Sequence, residues 1–198
     1  GAHPSFNDPE NFGRKRLNLL PKDITKLIID QIFILAEIAE KNSMKVTHVK
    51  PHGALNNMAC ENFELANVIA KAIIQANKDL IFLVPTGSEM EKAGKKLGMK
   101  VAAEIFADRN YEDDGNLVSR SKSNALITDP EVAKNHVVKM VKNQAINCFS
   151  GKQIPCDIDS ICVHGDGKSA VSTAKKIKDG LLETGVALKT LNQLKKFI

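Results

Sequence analysis

The sequence predicts an α/β fold built on parallel strands, and three observations predict it. Short apolar runs of strand length alternate with longer stretches of helical period along the 198 residues. Most connections between successive strands are a dozen residues or more, which a parallel crossover requires. The polar residues able to do chemistry stand just after strands, at the end that parallel α/β folds turn toward a ligand. No linker, repeat or low-complexity tract divides the chain, so it reads as a single domain, 1–198.

Each element follows from local pattern. Pro21 to Asn42 carries Ile24, Leu27, Ile28, Ile32, Leu35 and Ile38 at helical spacing, with Pro21 suited to a first turn. Lys45 to Lys50 alternates Val46 and Val49 with polar neighbours, a strand that runs into Pro51-His52-Gly53. Glu61 to Gln75 returns to the helical period through Leu65, Val68, Ile69, Ala72 and Ile73. The uninterrupted run Leu80 to Val84 predicts a buried strand ended by Pro85-Thr86-Gly87. Ser88 can cap the helix that follows, and Gly98 can end it.

Val101 to Phe106 predicts a further strand closing on Ala107-Asp108-Arg109. Asn110 to Asn124 is polar and reads as a long loop turning at Asp113-Asp114-Gly115. Glu131 to Val141 is helical behind Asp129-Pro130, and Cys148 to Asp157 reads as a hairpin about Ser150-Gly151-Lys152. Ser160 to Val163 is a strand that delivers His164-Gly165-Asp166. Ser169 to Thr184 is a helix stopped by Gly185, and Val186 to Lys189 is expected as a last strand before the terminal Leu191 to Phe197.

Composition narrows the class. A hydrophobic share of 43% with 26% charged residues is that of an ordinary globular chain. No apolar run approaches the ~18 residues of a membrane span. No basic segment leads into a short apolar stretch, so the expected location is cytoplasmic. The net charge of +5 comes largely from lysines in helical stretches, which reads as solvated outer faces and not as a nucleic-acid surface. With 5% aromatics and no Trp, a base-stacking platform is not expected. Cys60, Cys148, Cys156 and Cys162 form no CxxC pair or zinc-ligand spacing and read as reduced thiols. These residues leave a homo-oligomer open.

The candidate site residues form four groups at strand ends: His3 with its neighbours, Lys50 to Gly53, Glu104 through Arg109, and His164 to Asp166. Packing alone does not call for His, Lys, Asp and Arg repeatedly at one end, so a shared cavity is expected. Lys50 can supply a point charge to a carboxylate or phosphate. His3, His52 and His164 can move protons near neutrality or ligate a metal. Asp108 and Asp166 can orient a histidine or act as bases. Arg109 and Arg120 can grip a carboxylate with paired hydrogen bonds. The combination suits hydrolysis or activation of a small anionic substrate. The absence of a Walker A loop, GxGxxG or GxSxG leaves several common enzyme classes unsupported.

The segments Gly1 to Phe6, Phe12-Gly13-Arg14, Val49 to Leu55, Glu104 to Arg109 and Val163 to Asp166, in that order, resemble the LamB/YcsF family. The likeness runs from Gly1 to about Leu188, and Lys50 to Leu55 with Glu104 to Arg109 are its most specific pieces. It implies a seven-stranded (β/α) barrel of the glycoside hydrolase/deacetylase type. The two βα units with which family members begin have no counterpart here, so the barrel is expected to be incomplete at the N-terminus. The implied activity is ATP-dependent opening of 5-oxo-L-proline to L-glutamate, in a complex with the 5-oxoprolinase subunits B and C. ATP, with Mg, is then a co-substrate. Lys50, His52, Asp108 and Asp166 become candidate catalytic residues, and His3, Arg109, Arg120 and His164 candidate substrate ligands, with no resident metal. Departures include Asn56, where the family commonly has Tyr, and Gly167-Lys168-Ser169 after the His-Gly-Asp motif. The alternatives are a metal-dependent carbohydrate deacetylase using His3, His52 and His164, and a non-catalytic remnant. No membrane or nucleic-acid partner is expected.

Overall fold

The computed structural model describes residues 1–198. The chain divides into two compact units, Gly1–Ala102 and Ala103–Ile198. Strand β3 begins at the end of the first and continues into the second.

The first unit contains α1 (Pro21–Lys41), β1 (His48–Val49), α2 (Gly53–Glu61), α3 (Phe63–Ala76), β2 (Ile81–Pro85) and α4 (Glu89–Lys96). Pro21 opens α1, and Ile24, Ile28 and Ile32, one turn apart, are its buried stripe. Asn62 caps α3 by accepting from Leu65 N at 3.0 Å. Ser88 caps α4, and Glu91 in its first turn reaches back to accept from Gly87 N at 2.6 Å. β1 and β2 run parallel with His48 opposite Ile81 and Val49 opposite Phe82. All five residues of β2 are buried, as its unbroken apolar run requires. Ala2 bridges Val49 in parallel, which lays the first residues along β1.

The second unit contains most of β3 (Val101–Phe106), then α5 (Pro130–Asn143), β4 (Ala145–Asn147), β5 (Gln153–Pro155), β6 (Ser160–Cys162) and α6 (Ala170–Glu183). β3 and β6 are parallel, Glu104 opposite Ser160 and Phe106 opposite Cys162. β4 and β5 form an antiparallel hairpin with Ile146 opposite Ile154. Asp129 caps α5 through Glu131 N and Val132 N. One core gathers Ile105, Phe106, Tyr111, Met140 and Ile146, and another Ala107, Val137, Ile177 and Leu181.

The parallel α/β class and the five expected helices stand, with α2 an additional one; the strands present do not by themselves make seven. One expectation changes: Val186 to Lys189 is not a strand. Gly53–Glu61, to which the sequence pattern assigned no element, is helical. The 186–189 segment is largely exposed, with only Val186 packed on a core. The cysteines are free thiols. No helix is long and apolar enough to cross a membrane.

Candidate active site

In the first unit the strand-end residues His3, Lys50 and His52 come together because two backbone segments run side by side. Lys50 N donates to Ala2 O at 2.9 Å, and His52 N to Pro4 O at 2.9 Å. His3 Nδ1 lies 2.5 Å from Lys50 O, and the His3 and His52 rings meet edge to face at 4.8 Å. Phe12 stands edge-on to His52 at 5.3 Å, with the Arg14 guanidinium over its ring. The close approach depends on Gly53, whose φ of +63° is costly for other residues and whose missing Cβ would sit 2.3 Å from Gly13 O. Gln31 of α1 fixes the strip by accepting from Ser5 N and donating to Ser5 O, at 3.1 and 2.8 Å. His3 is exposed, whereas Lys50 and His52 are half-buried.

In the second unit the ends of β3 and β6 bring Asp108 beside His164. His164 Nδ1 lies 2.8 and 2.9 Å from the two Asp108 carboxylate oxygens, and His164 N donates to the same carboxylate at 3.3 Å. Phe106 stacks on the imidazole at 5.9 Å. Burial pushes the Asp108 carboxyl up, but the hydrogen bonds and charge of His164 outweigh it and hold the group below its usual value.

Asp108, His164, Asp166 and Arg120 all line one pocket of about 100 Å³. Leu126, Val163 and Ala170 supply apolar lining, and Ser169 and Thr173 contribute from the start of α6. Ser169 does not cap α6 with its side chain; its hydroxyl donates to Thr128 O at 3.1 Å, tying the helix start to the 126–128 segment.

Arg109 is placed differently from a substrate ligand. Only 5% exposed, it donates from Nη2 to Val118 O at 2.6 Å and from Nε to Ala125 O at 3.3 Å. Its guanidinium therefore holds the loop that carries Arg120, and the paired grip on a substrate carboxylate expected of it is used on carbonyls of its own chain. Burial, and then the neighbouring Arg120 charge, hold Arg109 below the ordinary arginine range.

Three polar residues went without a role in the sequence reading. Glu104, within β3 and 3% exposed, accepts from Ser160 Oγ at 3.3 Å. Tyr111 accepts from Phe106 N at 2.7 Å and thereby pins the end of β3. Thr173 is 5% exposed and lines the pocket. Glu104 lies in the Glu104 to Arg109 group already singled out, and Thr173 stands four residues after Ser169, on the same face of the helix; Tyr111 had no sequence signal. No group of three or more His, Cys, Asp or Glu able to hold a metal ion is present.

These features define a parallel α/β protein whose strand ends carry histidines, one of them paired with a carboxylate in a small polar pocket. The LamB/YcsF family model matches residues 1–196, and the chain belongs to that family. It is 46% identical over 194 residues to the 5-oxoprolinase A subunit of Clostridium beijerinckii, spanning 98% of this chain and 76% of that relative. The corresponding 5-oxoprolinase A subunit of Natranaerobius thermophilus is 42% identical over 191 residues, 96% of this chain and 74% of the relative. Among solved structures, the Lactam Utilization Protein from Thermus thermophilus superposes with a TM-score of 0.87 at 32% identity, covering 96% of this chain and 75% of that one.

Proposed function

We propose that this chain is the A subunit of a 5-oxoprolinase, opening 5-oxo-L-proline to L-glutamate with ATP as co-substrate and B and C subunits as partners. The names borne by its relatives support the reaction class. The observation that carries the site is the Asp108–His164 pair lining the same pocket as Arg120 and Asp166. Its strands are read as part of the seven-stranded (β/α) barrel that the family resemblance implies.

The chemistry follows from the substrate. A five-membered lactam is a stable amide whose carbonyl resists water. Transfer of a phosphoryl group from ATP to its oxygen makes that oxygen a leaving group. Water then adds at the carbonyl carbon, the ring C–N bond breaks and the nitrogen takes a proton, which leaves the γ-acyl phosphate of glutamate for a second water to hydrolyse. Phosphate and ADP leave, and glutamate remains. With His164 Nδ1–H directed at Asp108, Nε2 is the basic nitrogen that can take a proton from water and return it to the amine. Asp108 orients the ring and stabilises it once charged. Asp166 is assigned as a second proton acceptor. In the first unit, Lys50 is assigned to hold an anionic oxygen, His52 to transfer protons and His3 to bind substrate. The pocket is well short of the ~300–1,000 Å³ of larger ligand sites, so it accommodates the lactam and not a whole nucleotide, and no step is assigned to nucleotide held there.

The test is an assembly reconstituted with its partner subunits and assayed for ATP-dependent glutamate release. His164→Ala, Asp166→Ala and Lys50→Ala are each expected to lower kcat by about 10²-fold or more. Unchanged turnover in all three would remove these assignments.

A further inference from the structure

We propose that the second-unit pocket holds the substrate's carboxylate on Arg120, which makes Arg120 the residue that selects 5-oxoproline over uncharged lactams. This rests on the reading above and adds an orientation to it.

Arg120 is the only Lys or Arg among the residues lining the pocket, and the groups around it limit what it can bind. Asp108 is engaged with His164, through both of its carboxylate oxygens. Arg109 is engaged with Val118 O and Ala125 O beneath the loop. That places a second guanidinium close enough to Arg120 for each to feel the other's charge. Of two neighbouring cations, one is buried and already donates to two carbonyls, which favours the other as the donor for an external anion. The start of α6 adds to the same field, since Ser169 and Ala170 line the pocket and a helix N-terminus favours negative charge.

The remaining lining fits the rest of the molecule. Leu126, Val163 and Ala170 offer apolar surface to ring methylenes, while His164 offers Nε2 to the reacting amide. A volume of about 100 Å³ suits a small cyclic acid. A carboxylate on Arg120 leaves the lactam amide as the group to meet His164. The ligand class is therefore a small lactam bearing one carboxylate. Arg109 becomes a positioning residue, acting on the carboxylate only through the loop that presents Arg120.

The experiment compares wild type, Arg120→Gln and Arg120→Lys in the reconstituted assembly. It reads kcat and KM for 5-oxoproline, and the inhibition constant of 5-oxoprolinamide, the same ring with its carboxylate neutralised. Arg120→Gln is expected to raise KM for 5-oxoproline about 10- to 100-fold, the scale of a charge-assisted pair. It should change kcat less than threefold and leave inhibition by the amide within about twofold. Arg120→Lys should recover part of the loss. An unchanged KM in Arg120→Gln overturns the proposal, and so does an equal weakening of acid and amide. A wild-type assembly that opens no 5-oxoproline would instead overturn the functional reading itself.

Discussion

His164 is held through Nδ1 by Asp108, 2.8 Å away, at the point where two parallel strands end side by side. The pairing fixes which nitrogen is available for chemistry. It also ties that ring orientation to a stability contribution, because the carboxylate is held below its usual pKa.

Asp108→Asn is therefore expected to alter two measurements. An amide can donate to Nδ1 and so favours the wrong tautomer, and kcat should fall on the order of 10²–10⁴-fold with KM nearly unchanged. In stability, a carboxyl whose folded pKa is depressed contributes fully above its unfolded value of about 3.9 and loses that contribution as pH falls through the folded value. Thermal melts should show wild type more stable than Asp108→Asn at pH 7, with the gap closing below pH 4. A gap constant with pH would mean that the carboxylate charge is not what stabilises.

Gly53→Ala tests the first-unit cluster. At φ +63° the new Cβ would also meet Gly13 O at 2.3 Å, and Gly13 O accepts from Ala54 N. Backbone has to shift, so the loss should exceed the ~1 kcal/mol of left-handed strain alone. Gly87→Ala is the internal comparison, with φ +75° and nothing within 4 Å of the added carbon. Urea unfolding should rank Gly53→Ala as the more damaging. Equal losses would mean the Gly13 contact relaxes freely.

Much of this arrangement was legible in the chain, and the illegible parts have physical causes. Val101–Phe106 reads as a strand and is one, because six consecutive buried residues leave only apolar or small types, with Glu104 the exception. Gly53–Glu61 escaped because its helix starts without a side-chain cap and its buried face is short: Ala54, Leu55, Asn56 and Ala59. The strand-end residues were identifiable as reactive types. Their directions were not: nothing in the string Asp108-Arg109 says that one faces a histidine while the other turns under a loop. That choice depends on Val118 and Ala125 carbonyls far along the chain, fixed only on folding. Thr173 joined the pocket by helical geometry and not by motif.

Arg109→Ala should free that loop. Two carbonyls lose a charged donor in a buried setting, an expected cost of about 2–3 kcal/mol. Trypsin offers a local reading, since Arg120 and Lys122 lie within the segment Arg109 ties down. Cleavage there should accelerate in Arg109→Ala under conditions that leave wild type intact, with Arg109→Lys in between. A melt lowered with no change in cleavage would place the role of Arg109 in the core alone.

His136 gives the clearest pH signature. It stands in α5 with its ring stacked on Tyr111 at 6.3 Å. Burial lowers its pKa to about 4, although a hydrogen bond to the Arg109 backbone works the other way. A histidine whose folded pKa lies below the unfolded value of about 6.5 binds its proton more readily when unfolded. Stability is then full above pH 6.5, falls as pH drops from 6.5 toward 4, and levels off below. One pKa unit corresponds to about 1.4 kcal/mol, so the whole span amounts to at most about 3.5 kcal/mol. His136→Phe keeps a stacking ring and cannot take up a proton, so it should flatten the dependence between pH 4 and 6.5 that wild type shows in urea titrations. The same slope in both proteins would assign it to another group and leave His136 as packing only.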